Sequence, residues 1–282
     1  DKNGVLWLSS LNGISKYMNK QFKSYSYNPV LNNEHLLDVN AFLHSGDGKI
    51  WVGTNSNGLY SLNYNDLSVI KHYTLDLNDK YSFSSSTVMS IYEDKNNDMW
   101  VGTGGEGLFK YDKSIDGFYR FSIDDGLPSN TIVSIIEDNN GLIWMGTRNG
   151  ISKYDPEKND FQNYNVADGL LDRIFLYQSI GVDNYGLLYF GSPQGIHYTD
   201  PSKISVNEEA PYLSIVNIFG LDRNNKKYVY NFSENQIELP YYIQTLSIEF
   251  VGLSFNKSEK NNYKYRLENY IDSWVDHGTS RS

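Results

Sequence analysis

The chain has 282 residues, 24 of them tyrosine, no cysteine and a formal net charge of −10. The lack of cysteine excludes disulfides, thiolate metal ligands and cysteine nucleophiles. The negative charge argues against a general nucleic-acid partner, because phosphate contacts use clustered Lys and Arg. No stretch approaches the roughly 20 apolar residues of a membrane helix, so any anchor or signal peptide is expected outside this chain.

One short motif repeats along the first two thirds of the chain. Trp51-Val-Gly-Thr54 returns at Trp100–Thr103 and Trp144–Thr147, and in looser form at Trp7–Ser10 and Tyr189–Ser192. The aromatic positions 7, 51, 100, 144 and 189 are separated by 44, 49, 44 and 45 residues. A period of this length predicts a β-propeller with one four-stranded blade per repeat.

The strands of one repeat follow from alternation of apolar and polar residues, rich in β-branched and aromatic types. Turns with Asn, Asp and Gly separate them, because these residues tolerate positive φ. In the fourth repeat the predicted strands are Val133–Glu137, Leu142–Thr147, Gly150–Tyr154 and Phe161–Tyr164.

The repeat ends near residue 200, and no further copy of the Gly-Thr motif follows. Pro201 and Asn207–Pro211 resemble a linker. Beyond it, alternation predicts strands at Tyr212–Phe219, Thr245–Gly252 and Tyr263–Leu267. The predicted fold is therefore all-β: propeller blades over residues 1–207, followed over residues 208–282 by part of an Ig/fibronectin-like β-sandwich. The blades are expected to be part of a larger, seven-bladed ring, and the chain a fragment of a longer ectodomain.

Propeller geometry predicts where a ligand would bind. If strands A to D alternate in direction, the B–C turns and the D–A crossings of every blade reach the same face. Planar amides, guanidinium groups and aromatic rings suit sugars, whose hydroxyls need paired donors and acceptors and whose C–H faces stack on rings. The candidate ligand-binding residues on this face are Arg148, Asn149, Arg173, Tyr177, Gln178 and Gln194.

Other conspicuous residues are predicted to be structural. Trp100 and Trp144 lie inside strands at equivalent positions, so they are expected to pack blade against blade. The turn residues Asp94, Asp138 and Asp183 occur once per repeat, so they are expected to hydrogen-bond turn backbone rather than to form a metal site or acid–base pair. Tyr263, Tyr265 and Tyr270 are predicted to lie in the sandwich core. No metal-ligand spacing or nucleophile motif occurs, so no catalytic residue and no cofactor is predicted.

Two segments carry a resemblance to a known family. Glu93–Thr103 and Glu137–Thr147, with the linking Asp125–Asn130 and Asp168–Leu170, resemble two-component-regulator propeller repeats. Tyr263–Trp274 resembles the signature of the Y-Y-Y domain that follows such repeats. Together they identify the chain as similar to the extracytoplasmic sensor region of hybrid two-component systems from polysaccharide-degrading bacteria.

The resemblance implies a non-enzymatic, periplasmic receptor region of an inner-membrane protein. Its ligand would be an oligosaccharide released during polysaccharide breakdown. A homodimer of the full-length receptor would signal to a histidine kinase outside this chain and so regulate polysaccharide-utilisation genes. Contact with the membrane would be made only by segments outside this chain. Two alternatives remain open: a propeller glycosidase or lyase, and a protein-interaction scaffold.

Overall fold

The computed structural model describes residues 4–10, 13–25, 38–204, 212–230, 237–253, 263–266, 268–269 and 273–278. These residues form β-strands and three one-turn 3-10 helices, without an α-helix, which confirms the all-β prediction. No helix in these ranges has the length and apolar character needed to cross a bilayer. The chain divides into two compact units, Asp1–Ile204 and Ser205–Ser282.

The first unit consists of five antiparallel sheets, each made of strands consecutive in sequence. Each sheet is one blade. Blade 1 contains β1 (Leu6–Ser10), β2 (Gly13–Met18) and β3 (Gln21–Tyr25). Blade 2 contains β4 (Val39–His44), β5 (Lys49–Thr54), β6 (Leu59–Asn63) and β7 (Val69–Tyr73). Blade 3 contains β8 (Val88–Glu93), β9 (Met99–Thr103), β10 (Leu108–Asp112) and β11 (Gly117–Phe121). Blade 4 contains β12 (Ile132–Glu137), β13 (Ile143–Thr147), β14 (Gly150–Asp155) and β15 (Asp160–Tyr164). Blade 5 contains β16 (Ile180–Val182), β17 (Leu188–Ser192) and β18 (Gly195–Thr199).

The propeller prediction is confirmed strand by strand in blade 4. All four predicted strands are present, and their ends differ from the prediction by one residue at most. Strand A of each blade from the second to the fourth packs against strand A of the next. The blades are therefore neighbours in space in the order in which they occur in the sequence.

The repeated tryptophans form the joints between blades. Trp51, Trp100 and Trp144 are at most 1% exposed. Each contacts a ring of the following blade: Trp51 lies 4.9 Å from Tyr111 and Trp100 lies 5.6 Å from Tyr154. Their expected role in packing is confirmed.

The glycine of the repeated motif is required by the same joint. A Cβ on Gly53 would lie 2.2 Å from Val88 Cγ1 in blade 3. A Cβ on Gly102 would lie 2.8 Å from the carbonyl oxygen of Ile132 in blade 4. Real carbon atoms cannot approach so closely, so strand B approaches the next blade only where it lacks a side chain.

A carboxylate at the end of strand A joins each of two blades to the turn before it. Glu93 accepts hydrogen bonds from the Gly46 N–H at 2.9 and 3.0 Å. Glu137 Oε2 accepts one from the Lys95 N–H at 2.9 Å, and Lys95 Nζ donates back to the Asp138 carbonyl oxygen. The two residues of the Glu-Asp pair therefore have different roles, and the Glu binds the neighbouring blade.

Asp116 connects blades 2 and 3 at their outer strands. Its Oδ1 accepts the hydroxyl protons of Tyr73 at 2.8 Å and Tyr111 at 2.7 Å, and its Oδ2 pairs with Lys71. Burial opposes ionisation of Asp116, but these three donors outweigh it and hold its pKa below the ordinary 3.8. Burial, together with the bond to Asp116, raises the pKa of Tyr111 to about 12.

This network predicts a measurable pH dependence. A carboxylate with a lowered folded-state pKa stabilises the fold above its unfolded pKa, and that stabilisation is lost as the pH falls below 3.8 through the folded value. We expect Asp116→Asn to reduce the proton uptake on acid unfolding by up to about one proton. Asn tolerates the positive φ of 46° at this position. The free energy of unfolding is measured by urea denaturation between about pH 6 and pH 3. An equal slope of this free energy against pH in wild type and variant would contradict the prediction.

The second unit contains two small antiparallel sheets. One has the order β20-β19-β21, formed by β19 (Tyr212–Asp222), β20 (Lys227–Tyr230) and β21 (Ile243–Leu253). The other pairs β22 (Tyr263–Tyr265) with β23 (Val275–Gly278). β19 and β21 cover two of the segments predicted from the sequence, whereas β22 covers the third only from Tyr263 to Tyr265, since Arg266 is not in a strand. Leu267, at the end of the third segment, lies outside the described residues, as does residue range 207–211 of the expected linker.

The tyrosine set of this unit was expected to be its core, and the structure supports that for one member. Tyr263 is buried, and its hydroxyl accepts the Gly252 N–H at 3.0 Å. Tyr265 is 44% exposed, so its core assignment was wrong. Regular alternation would place Tyr263 and Tyr265, which are two residues apart, on the same face of the strand. The pairing of this three-residue strand shifts register after Tyr263, and this irregularity interrupts the alternation. Tyr270 lies outside the described residues.

Candidate ligand-binding face

The B–C turns and the D–A crossings meet, as the strand directions predict. The N–H of Gly104, in the B–C turn of blade 3, donates to the Thr87 carbonyl of the preceding crossing at 3.0 Å. In blade 4 the Arg148 N–H donates to the Thr131 carbonyl, and the Gly150 N–H donates to the Arg173 carbonyl. We call this surface, formed by the B–C turns and D–A crossings of blades 2 to 5, the B–C face.

The last residue of the repeated motif holds each B–C turn in shape. Thr103 Oγ1 donates to the Gly107 carbonyl at 2.8 Å and accepts the Glu106 N–H at 3.0 Å. Thr147 Oγ1 donates to the Gly150 carbonyl at 2.8 Å and accepts the Asn149 N–H at 2.9 Å. The turns that present candidate side chains are therefore fixed by a buried hydroxyl.

Arg148 and Tyr177 are brought together by the structure. The guanidinium carbon of Arg148 lies 4.9 Å from the centre of the Tyr177 ring, and its Nη2 donates to the Tyr177 hydroxyl at 2.6 Å. Tyr177 is 54% exposed. The pair thus presents a cation and an aromatic ring, held against each other, to solvent.

Gln178 connects this pair to blade 2. Its Nε2 donates to the carbonyl oxygen of Asn40, and its backbone N–H donates to the Val133 carbonyl at 2.9 Å. The Asn40 side chain in turn donates to the Asn55 side chain and to the Val88 carbonyl. Gln178, in the crossing from blade 4 to blade 5, is therefore hydrogen-bonded to both blade 4 and blade 2.

The other three predicted residues do not join the Arg148–Tyr177 pair. Asn149 is exposed, and its Nδ2 donates to the Pro128 carbonyl at 3.0 Å, so it anchors the preceding crossing. Arg173 and Gln194 are exposed. Within residues 38–204, no hydrogen bond or ion pair engages either side-chain head group, which leaves both available on the B–C face.

The turn aspartates have the predicted structural role and a second one that the repeat spacing did not reveal. Asp138 Oδ1 accepts the N–H groups of Asn140 and Leu142, while its Oδ2 accepts the indole N–H of Trp144 at 2.8 Å. Asp94 binds Trp100 in the same way, at 2.8 Å. The signal was present in the sequence as an Asp six residues before Trp100 and before Trp144.

Blade 5 keeps this arrangement with a different aromatic residue. Asp183 Oδ1 accepts the N–H groups of Tyr185 and Leu187, and its Oδ2 accepts the Tyr189 hydroxyl at 3.0 Å. Burial opposes ionisation of Asp183 and is the largest individual effect on its pKa. The hydrogen bonds together outweigh it and hold the pKa below the ordinary 3.8. The Tyr that replaces Trp at position 189 therefore preserves the hydrogen bond to the turn.

One pair of residues has the composition of a nucleophile and its base. Ser192 Oγ lies 3.1 Å from His197 Nε2. However, Ser192 occupies the motif position of Thr103 and Thr147, and its Oγ likewise bonds the turn carbonyl of Gly195. Its buried hydroxyl serves the turn. In the part of the chain that the structure describes, no group of three or more His, Cys, Asp or Glu side chains is placed to hold a metal ion.

A concave groove lies elsewhere, between the outer edges of blades 3 and 4. Its volume is about 350 Å³. Sequence reasoning did not find it, because most of its residues come from the D strands, which carry no repeated motif. The groove, called here the rim groove, is lined by Tyr119, Arg120, Phe121, Asp125, Asn159 and Phe161.

Comparison with known proteins agrees with this architecture. Residues 82–105 and 126–149, in blades 3 and 4, match the family described as two component regulator propeller. No curated protein sequence matches the chain significantly. A similar solved structure is the extracellular domain assigned to the hybrid two component system BT3049 from B. thetaiotaomicron. It is 25% identical, with a TM-score of 0.72 over 98% of this chain and 38% of that one.

Two further structures share the fold. The extracellular domain assigned to the one component system BT4673 from B. thetaiotaomicron is 16% identical, with a TM-score of 0.52 over 100% of this chain and 44% of that one. Virginiamycin B lyase from Staphylococcus aureus is 17% identical, with a TM-score of 0.50 over 82% of this chain and 68% of that one. The chain thus spans less than half of the two extracellular domains. Residues 82–105 and 126–149 thus match two component regulator propeller repeats, and the chain is similar in fold to the extracellular domain of a hybrid two-component system.

Proposed function

We propose that the chain is the ligand-binding region of a sensor in a hybrid two-component system, and that its ligand is an oligosaccharide released from a polysaccharide. The sensor would lie in the periplasm, with the Y-Y-Y-type unit transmitting binding toward a membrane segment and kinase outside this chain. The observation that carries the proposal is the likeness, over 98% of the chain, to the extracellular domain of BT3049.

The B–C face has the chemistry that such a ligand needs. Tyr177 offers a half-exposed ring, Arg148 offers donors beside it, and Arg173 and Gln194 supply further polar groups. Sugar hydroxyls act as both donors and acceptors, so amides and guanidinium groups together satisfy them. Because the Arg148–Tyr177 pair is already formed, little side-chain freedom remains to be lost on binding.

The two arginines also suggest the charge of the ligand. The chain as a whole has a net charge of −10, yet the B–C face presents Arg148 and Arg173, and no salt bridge within residues 38–204 neutralises either. A guanidinium group binds a carboxylate or sulfate in a bidentate manner more strongly than a neutral hydroxyl. An oligosaccharide with uronate or sulfate groups therefore suits this face better than a neutral one.

Alanine variants test the assignment. We expect Arg148→Ala and Arg173→Ala each to weaken binding of the cognate oligosaccharide about tenfold, equivalent to about 1.4 kcal/mol. Isothermal titration with uronate-containing, sulfated and neutral oligosaccharides would measure it. The matched control is Arg223→Ala, an exposed arginine in the turn between β19 and β20. Unchanged affinity in both B–C face variants would contradict the site, and failure of every oligosaccharide to bind would contradict the sensor's ligand class.

The similarity to virginiamycin B lyase does not support an enzymatic function in place of the proposed one. At 17% identity it reflects the shared propeller fold, and a fold does not imply an activity. The Ser192 hydroxyl of the Ser192–His197 pair also bonds the turn carbonyl of Gly195, as the equivalent threonines do, so this pair is assigned to the turn rather than to catalysis.

A further inference from the structure

The rim groove has the features of a small binding site separate from the Arg148–Tyr177 pair, although one of its residues, Asp125, lies in a D–A crossing of the B–C face. At about 350 Å³ it falls at the lower end of the volumes of small-molecule sites, which run from about 300 to 1,000 Å³. Three of its six lining residues are aromatic and three are polar. No hydrogen bond, ion pair or ring contact joins these six residues to Arg148, Tyr177 or Gln178, all of which the structure describes.

The walls of the groove are held in place from behind. Arg120 Nε donates to the Glu106 carbonyl at 2.7 Å, and its Nη2 pairs with the Glu106 carboxylate at 2.8 Å. Asp125 Oδ2 accepts the Ser122 N–H at 2.8 Å and caps the one-turn helix before it. Asn159 Oδ1 accepts the Tyr154 hydroxyl at 2.7 Å. The polar groups are therefore positioned before any ligand arrives.

Each of these residues keeps one unused polar atom. The bonds above leave Arg120 Nη1 and Asn159 Nδ2 as donors and Asp125 Oδ1 as an acceptor. The fourth polar group belongs to Tyr119, which is 43% exposed and has a hydroxyl that bonds no other described residue. Donors, an acceptor and a ring edge around one concavity match the alternating hydroxyls and C–H faces of a pyranose.

The charges at the groove select the kind of sugar. Arg120 is already neutralised by Glu106, whereas Asp125 has no cation bonded to it among the described residues. The groove is therefore neutral to acidic, which disfavours carboxylated or sulfated ligands by like-charge repulsion. This is the opposite of the B–C face with its two arginines.

We infer that the rim groove is a second carbohydrate site, which binds a neutral mono- to trisaccharide unit through Tyr119, Arg120, Asp125 and Asn159. The site does not include the Arg148–Tyr177 pair, and it does not depend on the charge of a ligand bound to that pair. A chain with both sites would hold a glycan that carries neutral and acidic stretches at two points, which raises its avidity.

The test uses the whole chain and defined probes. Cellotriose, maltotriose and xylotriose serve as neutral saccharides, trigalacturonate as an acidic one, and an extended Thr/Val octapeptide as a strand that could instead pair with the edge of β11. Binding is followed by isothermal titration and by amide shifts of Tyr119, Arg120 and Asn159. We expect at least one neutral trisaccharide to bind and to shift these amides.

Two variants locate the binding, and two serve as controls. Tyr119→Ala removes the exposed ring, and Asp125→Asn keeps a cap acceptor while replacing the free oxygen with a donor. Both are expected to weaken neutral-saccharide binding about tenfold. Tyr185→Ala, at a 90% exposed tyrosine in blade 5, is expected to leave it unchanged, and Arg148→Ala detects any binding of the same saccharide at the B–C face.

Four results would overturn the inference: no neutral trisaccharide binds, only trigalacturonate binds, only the octapeptide binds, or Tyr119→Ala and Asp125→Asn bind as wild type does. Loss of neutral-saccharide binding in Arg148→Ala alone would place the sugar on the B–C face. That result would reject the rim groove while supporting the proposed function, so the two can fail separately.

Discussion

Trp144→Ala is expected to cost about 3–5 kcal/mol of the free energy of unfolding. Trp144 is 1% exposed, stacks on Tyr164 at 5.7 Å and packs against Phe190 of the next blade at 6.3 Å. Truncation leaves a cavity at the joint between blades 4 and 5 and removes the donor that Asp138 Oδ2 binds. Urea denaturation followed by far-ultraviolet circular dichroism would measure the loss.

The chain provides its own control for tryptophan removal. Trp274 in the second unit is 62% exposed, with Arg266 over its ring at 5.3 Å. We expect Trp274→Ala to cost less than about 1 kcal/mol. Should Trp144→Ala fail to fold, Trp144→Phe keeps a ring in the joint and is expected to fold with an intermediate loss. A Trp144→Ala protein as stable as Trp274→Ala would refute the packing role.

Asp138→Asn is expected to cost about 2–3 kcal/mol although it changes hardly any volume. If the amide oxygen keeps the bonds to Asn140 and Leu142, the amide nitrogen faces the indole N–H of Trp144. Indole is a donor only, so two donors oppose each other in a buried site. The substitution also replaces a charged acceptor by a weaker neutral one.

Asp183→Asn is the matched comparison, because the same turn exists in blade 5 with Tyr189 as its partner. A phenol hydroxyl can rotate to accept a hydrogen bond, so the amide nitrogen finds an acceptor there. We expect a smaller cost than for Asp138→Asn, measured by the same denaturation. Equal costs for the two substitutions would show that the turn backbone, rather than the aromatic partner, determines the role of the aspartate.

The B–C face illustrates how far sequence reasoning reached toward a site. Strand alternation was sufficient to place Arg148, Arg173 and Tyr177 on a common face, because turn direction follows from strand count. It could not show that Arg148 lies on the Tyr177 ring or that Gln178 reaches Asn40 in blade 2, 138 positions away in the sequence. Those contacts depend on the angle between blades, which no local pattern records.

The rim groove was not foreseen for the same reason. Tyr119 and Asn159 belong to different blades and carry no shared motif, so nothing in the sequence relates them. Their proximity results from the packing of blade 3 against blade 4 at the Trp100–Tyr154 joint.

By itself, the sequence determined the propeller, the strands of blade 4 and the structural role of Trp100, Trp144 and the turn Asp residues. These features repeat with a fixed period, and a period can be read along a single chain. Only the tertiary structure decided which side chains share a surface: the Arg148–Tyr177 pair, the Glu93 and Glu137 links between blades, the exposure of Tyr265 and the rim groove. Such contacts join residues far apart in the chain, and they exist only once the blades have packed against one another.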